Sequence, residues 1–448
     1  MSGAKVVNRF VGGEGYAPLT EATIRPFVEA IPRVRGILTG DPLSWTVREV
    51  GDGNLNLVFI VKSPAAGGVC VKQALPYVRL VGESWPLPLD RAYFEHEALL
   101  AQTAVVPGLV PLIYHFDSIR GAIVMELLEP HVILRKGLIR GVRYPRLAAD
   151  MATFAAETLF STSDLAVPAG TKRQHMSLFS LNTELCRITE DLVFTDPYRL
   201  APLNRWTKPQ LDAAAAEFRA DADLKIAVQD LKWMFLTRAE ALLHGDLHTG
   251  SIMVTPQETR VIDPEFAVYG PMGFDLGAFM GNLLLAYYSQ DGHATAGDSR
   301  EDYQRWILDT LEAFWTGFES CFLELWRQRR RGDAFAGGLF EDAAGAAALR
   351  GFQAAALTRL FQDAVGFAGA KMARRILGLA HVEDMEAITD ADARAACERR
   401  ALKLARNLMV ARSSFTGVRQ LRAAAEAVRT AWYPLSEADG TSDSGSSG

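Results

Sequence analysis

The chain has 448 residues and a mass of 49.0 kDa, long enough for two cores or one two-lobed unit. Hydrophobic residues make up 49% and charged residues 22%, which excludes a wholly disordered chain, a collagen or a coiled coil. With 47 Lys plus Arg against 53 Asp plus Glu, the net charge is −6, so nothing basic in the whole favours nucleic acid and any anion must be held by a local basic site.

Residues 1–45 are expected as an N-terminal helical extension. The opening MSGAKVVNRF has no apolar run and does not read as a signal peptide. From 46 the pattern turns to strands. TVREV (46–50) alternates, Gly51-Asp52-Gly53 turns the chain, and LNLVFIV (55–61) alternates again. VCVKQAL (69–75) follows a second turn, and Asp90 is expected to cap a helix over 91–102. LVPLIYHF (109–116) and AIVMELL (122–128) complete a five-strand, one-helix unit spanning 46–128.

From about 145 helical segments dominate, at 145–162, 208–240, 300–328, 343–369 and 391–430. A short island at 241–265 breaks them, with the apolar runs SIMVT and RVID predicting a small hairpin. The apolar run Leu276–Tyr288 is 13 residues, short of the roughly 20 that a membrane span needs, and reads as a buried helix. The polar, low-complexity segment 436–448 is expected to be disordered. The chain therefore reads as α+β: a small β-rich lobe over 46–128 and a larger helical lobe over 129–435, with a ligand cleft between them. Four scattered cysteines, Cys70, Cys186, Cys321 and Cys397, make neither a zinc cluster nor a disulfide scaffold and suit a reducing cytoplasm.

The chemistry concentrates in HGDLHTGSI (244–252) and in Asp263-Pro264-Glu265. Glycines near Asp246 let the loop bend and present its carboxylate. Asp263 and Glu265 follow an apolar strand at a spacing of two, which in extended backbone points both to one side. Two acids facing one way make a poor core and a good site for Mg²⁺, which takes oxygen ligands and bridges phosphates. Singly, each acid could as well be a solvated turn residue. His244 and His248, four apart, would form a zinc pair on a helix, but Gly245 and Gly250 argue against one, so His244 is expected to orient the loop. Arg327, Arg329, Arg330 and Arg331 read as a solvated helix terminus.

These two segments resemble the catalytic and metal loops of protein-kinase-like phosphotransferases. HGDLHTGSI and DPEFAVYGPMGFDLG, together with GDGNLNLVF, VKQALPYVRLVGESWPLPLDRA and RRILGLAHV, are similar more narrowly to the 5-methylthioribose kinase family, over roughly residues 45–412. The resemblance implies a two-lobed protein-kinase-like fold, ATP and Mg²⁺, a homodimer, and phosphorylation of the 1-hydroxyl of 5-methylthioribose in methionine salvage. It makes Asp246 the catalytic residue, at the sugar hydroxyl, and gives Mg²⁺ to Asp263 and Glu265. Asn56, Lys72 and Asp263-Pro264-Glu265 fall at the nucleotide, and Glu95, in preference to Glu97, becomes the partner of Lys72. The backbone of Glu126, Leu127 and Leu128 would meet the adenine edge. Arg374, Arg375 and Trp85 would meet the sugar, although adjacent helical arginines stand about 100° apart and need not face one way. Ser251 occupies the place of the usual metal-binding Asn, and Pro-Glu follows Asp263 where Phe-Gly is usual; both departures match the narrower family. The alternatives are a kinase for choline, homoserine or an aminoglycoside, and a nucleotide-binding module without catalysis. No membrane or nucleic-acid partner is expected.

Overall fold

The computed structural model describes residues 8–12, 15–51, 55–65, 67–78, 82–335 and 338–431. The Asp52-Gly53-Asn54 turn and the tail at 436–448 lie outside them. Two short helices come first, α1 (Glu21–Glu29) and α2 (Pro32–Arg35). The alternating segments then become β1 (Thr46–Glu49), β2 (Asn56–Lys62) and β3 (Gly68–Ala74). A hairpin, β4 (Tyr77–Val78) with β5 (Gly82–Pro86), and α3 (Arg91–Val105) precede β6 (Ile113–Asp117) and β7 (Ala122–Glu126). The five longer strands form one antiparallel sheet in the order β1-β2-β3-β7-β6.

Strand alternation puts Phe59, Val61, Val69, Val71 and Val124 on one buried face, where Ile24, Val28 and Val34 of α1 and α2 cover them. The N-terminal extension therefore shares a core with the sheet. Lys72 points to the other face. Its strand is central, paired to Val58 on one side and Ile123 on the other, so it is not an edge lysine. Asp90 does not cap α3 with its side chain. Its carboxylate instead accepts the backbone N–H groups of Arg9, Phe10 and Val11 at 2.6, 2.9 and 2.9 Å, tying the N-terminal segment to the lobe.

The chain crosses to the larger lobe after β7. There β8 (Val132–Ile133) leads to α4 (Leu134–Ile139), α5 (Leu147–Ser161), α6 (Ala169–Phe179), α7 (Thr183–Phe194), α8 (Asp212–Ala220) and α9 (Ala222–Thr237). The island at 241–265 follows as β9 (Ala241–Leu243), β10 (Ile252–Val254) and β11 (Thr259–Val261), then β12 (Val268–Gly270). The expected hairpin is β10–β11, and β8 extends it; β9 pairs with β12. The rest is helical: α10 (Gly273–His293), α11 (Glu301–Gln328), α12 (Ala343–Leu377), α13 (Glu383–Glu386), α14 (Ala391–Val410) and α15 (Val418–Thr430). Helices α6 and α7 have no counterpart in the sequence reading, and the expected 391–430 helix is two helices.

The apolar run at 276–288 is α10, buried on all sides as far as Gln290. Among the described residues no helix is long and apolar enough to cross a membrane. Along α10, Gly273, Gly277 and Gly281 face α12; a Cβ on Gly277 would lie 2.4 Å from the Ala364 carbonyl oxygen. Only glycine allows this approach, and it carries the last turns of α12 to the loop that follows β9.

Candidate active site

Two loops meet at the cleft, residues 244–251 between β9 and β10, and residues 262–267 between β11 and β12. The first is bent by Gly245 at φ +84°, where a Cβ would stand 2.2 Å from the Phe266 carbonyl oxygen of the second. Asp275, at the start of α10, accepts the N–H groups of His244 and Gly245 at 2.6 and 3.0 Å. His244 Nε2 donates to the Ile262 carbonyl at 2.9 Å, which leaves Nδ1 to accept the Asp246 N–H at 3.3 Å. His244 thus ties the loop through both ring nitrogens. Ser251 donates its hydroxyl to the Asp246 carbonyl at 3.0 Å, so it braces the same loop.

Four side chains surround the Asp246 carboxylate. Lys371 Nζ lies 3.0 Å from Oδ1, and His248 Nε2 lies 3.2 Å from Oδ2. Arg374 stands 3.9 Å from Oδ1 and Arg375 3.9 Å from Oδ2. His248 Nδ1 accepts the Gly250 N–H at 2.8 Å and faces Arg135 Nη2 at 3.3 Å, so the ring proton is on Nε2, aimed at Asp246. Burial, with Arg375 and Arg135 adding to it, pushes His248 down to about 3 despite Asp246, so the ring is neutral. Burial alone would raise Asp246, but Lys371 and the His248 contact, with Arg374 behind them, outweigh it and hold the carboxyl well below its ordinary range. Arg374 and Arg375 are 8% and 7% exposed, not a solvated face, and both reach one carboxylate although they are adjacent on α12. Long side chains on two diverging vectors can converge on a group that lies between them. Among the described residues, Arg374 Nε and Nη1 are buried with no hydrogen-bond partner.

Across from Asp246, on β3, Lys72 Nζ lies 2.7 Å from Glu95, which is 2% exposed, and also contacts Asp263. Burial disfavours the ammonium, yet Asp263, Glu95 and Glu265 more than offset it and raise Lys72 above its usual range. Glu97 faces His96 instead, at 3.0 Å. Ligand oxygens of Glu95, Asp263 and Glu265 fall within 4.8 Å of one another, a donor set suited to a hard divalent cation. The extended-backbone reason for pairing Asp263 with Glu265 is corrected: Asp263 has φ +71°, and this left-handed turn aims its carboxylate. Pro264 is buried between them.

Asn56 is 5% exposed, and its amide is taken within the protein. Nδ2 donates to Glu265 at 3.0 Å and Oδ1 accepts from Arg91 at 3.0 Å, so its amide ties β2 to the acid loop. Trp85 lies on β5, not on a loop, and packs against an apolar cluster of Val78, Leu87, Leu185, Ile188 and Leu192, which Phe266 and Leu379 also border. Glu126 ends β7; its carboxylate accepts the Leu112 N–H at 3.1 Å, and Leu127 and Leu128 lead across to the larger lobe. A separate groove of about 990 Å³, lined by Ile226, Trp326, Phe352 and Arg359, contains none of these residues.

Several contributors carried no role in the sequence reading. Arg91 is fully buried and bonded to the Leu75, Pro88 and Leu55 carbonyls at 2.6, 3.0 and 2.7 Å. Asn182 donates to the Glu265 and Ala267 carbonyls at 2.9 and 3.0 Å and fixes the acid loop. Lys371 and Asp275 lie inside or beside matched segments; Lys371 precedes Arg374 by three residues, a helical same-face spacing that could have found it.

A two-lobed fold with a clamped aspartate, a strand lysine paired to a helix glutamate, and a cluster of acids defines a protein-kinase-like small-molecule phosphotransferase. The model of the phosphotransferase enzyme family matches residues 46–314. Methylthioribose kinase 1 of Oryza sativa subsp. japonica is 50% identical over 411 residues, 91% of this chain and 95% of its own. Methylthioribose kinase of Escherichia coli O45:K1 is 46% identical over 398 residues, 88% and 94% of the two chains. Among solved structures, a Plasmodium vivax ethanolamine kinase aligns at 10% identity with a TM-score of 0.44, over 88% of this chain and 91% of that one. The chain belongs to the methylthioribose kinase family.

Proposed function

We propose that this protein transfers the γ-phosphoryl group of ATP to the 1-hydroxyl of 5-methylthioribose, giving 5-methylthioribose 1-phosphate, as the kinase step of methionine salvage. The observation that carries the reading is Asp246, clamped at both carboxylate oxygens in a chain of this family. Asp246 orients the acceptor hydroxyl and takes its proton as the new O–P bond forms and the bond from phosphorus to the β–γ bridging oxygen breaks. Its low proton affinity fits a loose transition state in which little proton transfer is needed early. Lys72 contacts the α- and β-phosphates, held in place by Glu95. Asp263 and Glu265 hold Mg²⁺, which when bound neutralises charge on the β- and γ-phosphates. Asn56 and Arg91 keep Glu265 in position, and the second carboxylate takes over the role that Ser251 cannot fill. The backbone at Glu126–Leu128 reads the adenine edge, and Trp85 closes over the sugar.

The two arginines are expected to differ. Arg375 donates to the Ala380 carbonyl at 3.4 Å, whereas Arg374 Nε and Nη1 are buried without a hydrogen bond, Nη1 facing Asp246 at 3.9 Å, which leaves Arg374 the better placed to meet the moving phosphoryl group. Arg374→Ala should lose roughly tenfold or more in kcat/KM for methylthioribose, about 1.4 kcal/mol, with the ATP KM nearly unchanged. Arg375→Ala should be milder. Near-wild-type steady-state kinetics in both variants would move the sugar site elsewhere.

We place the protein in the cytoplasm as a homodimer; the free thiols of Cys70, Cys186, Cys321 and Cys397 suit a reducing compartment. ADP release measured with methylthioribose, choline, homoserine and an aminoglycoside tests the substrate class. Turnover confined to the methylthio-sugar supports it, and equal or greater turnover with any of the others overturns it.

A further inference from the structure

Helix α12 brings Asp246 a third cation beside the two arginines, and it is the one that bonds the carboxylate directly. Lys371 is 2% exposed, and its Nζ lies 3.0 Å from Asp246 Oδ1 and 4.3 Å from the Phe274 ring centroid. Each carboxylate oxygen has one direct donor, Lys371 on Oδ1 and His248 on Oδ2. The arginines stand 3.9 Å off, too far to fix the carboxylate by hydrogen bonding. The charged and titratable groups facing Lys371 are Asp246, His244 and His248 from the catalytic loop, Asp275 from α10, and Arg374 and Arg375 from its own helix. Both histidines are lowered by burial, so the ammonium is set against Asp246 first and Asp275 second, with two guanidiniums opposing it.

A buried ammonium among cations is an expensive way to hold a helix. An apolar side chain of similar length would pack against Phe274 without desolvating a charge. The charge is therefore explained by what it touches. We propose that Lys371 is a positioning residue for phosphoryl transfer: its ammonium fixes Asp246 Oδ1, so that the free lone pairs of the carboxylate aim at the acceptor hydroxyl. This rests on the reading of Asp246 as the partner of that hydroxyl. Without the ammonium the carboxylate keeps its charge neighbours but loses one of its two bonded anchors. The cost then falls on turnover, because orientation matters most as the new bond forms.

Burial and the two arginines bring Lys371 down to about 8 against the pull of Asp246. The clamp needs the protonated form, so it is present below that pH and lost as pH rises through it. Wild-type kcat should accordingly fall above about pH 8, and Lys371→Met should lack that alkaline limb. Lys371→Met should also lower kcat by roughly tenfold or more, with the ATP KM within about twofold. Lys371→Arg should restore part of the loss and move the limb to higher pH, since a guanidinium stays charged. A Lys371→Met enzyme with kcat within about threefold of wild type and an unchanged alkaline limb overturns the proposal. If Lys371→Met does not give a native circular-dichroism melt, Lys371→Arg decides alone: an upward shift of the limb supports the clamp, and an unmoved limb overturns it. Asp246→Asn is measured beside them. A fully active Asp246→Asn removes the reading of Asp246, whereas an impaired Asp246→Asn with a normal Lys371→Met removes only the lysine.

Discussion

Asp246→Asn is expected to lower kcat by about 10²–10⁴-fold while the fold and ATP binding are retained, a loss of about 2.7–5.4 kcal/mol of transition-state stabilisation. The substitution is nearly isosteric and leaves the backbone ties of Asp275, His244 and Ser251 untouched. What it removes is the anion that Lys371 and His248 bond, and with it the proposed acceptor of the sugar proton. The amide also turns one acceptor into a donor, which faces Lys371 or His248 with an N–H against an N–H. The loss should fall on kcat rather than on the ATP KM, because Asp246 lies apart from the Lys72, Asp263 and Glu265 cluster. A kcat within about threefold of wild type, with an unchanged melting curve, would take Asp246 out of the chemistry.

The second large effect is expected at the acids. Asp263→Asn and Glu265→Gln should each raise the Mg²⁺ concentration needed for half-maximal turnover, since each removes a hard anionic ligand. Their secondary effects should differ. Asp263 is part of the ion pair with Lys72, so its loss also alters how that ammonium is held. Glu265 is 4% exposed and is bonded by Asn56 and faced by Arg91 Nε at 3.4 Å, so its loss leaves a buried guanidinium without its anion. Glu265→Gln should therefore also lower the melting temperature, and Asp263→Asn should do so less. A Mg²⁺ titration of Glu265→Gln that superposes on wild type would end its role as the carboxylate that replaces the usual Asn.

Much of this was legible because the chemistry lies in short, contiguous segments. Asp246, Asp263 and Glu265 stand in two loops whose glycines and flanking apolar strands mark them in the sequence. Lys72 was legible through its strand in VCVKQ, whereas the helix after Asp90 offered both Glu95 and Glu97 and only the resemblance chose Glu95. What escaped depends on contacts between distant parts of the chain. Lys371 looks like one more cation near two arginines until the glycine face of α10 draws α12 against the catalytic loop. Asn56 is placed at the nucleotide by the resemblance, and the bonds of its amide to Arg91 and Glu265 add a tie that no local pattern shows. Asp90 has the composition of a helix cap, and tertiary structure gives its carboxylate to three backbone donors some 80 positions earlier. Trp85 precedes Pro86 and Pro88, and these prolines hide the short hairpin that carries it. At Asp90 and Lys371 a local rule was overridden by a partner distant in the chain.

The most direct measurement is phosphorus NMR of the product formed from ATP, Mg²⁺ and 5-methylthioribose by the wild-type protein, with Asp246→Asn as the control. A single new sugar phosphate, coupled to the anomeric proton and formed far more slowly by Asp246→Asn, is the predicted result. Phosphate on another hydroxyl, or ATP hydrolysed to inorganic phosphate with the sugar unchanged, would contradict the account.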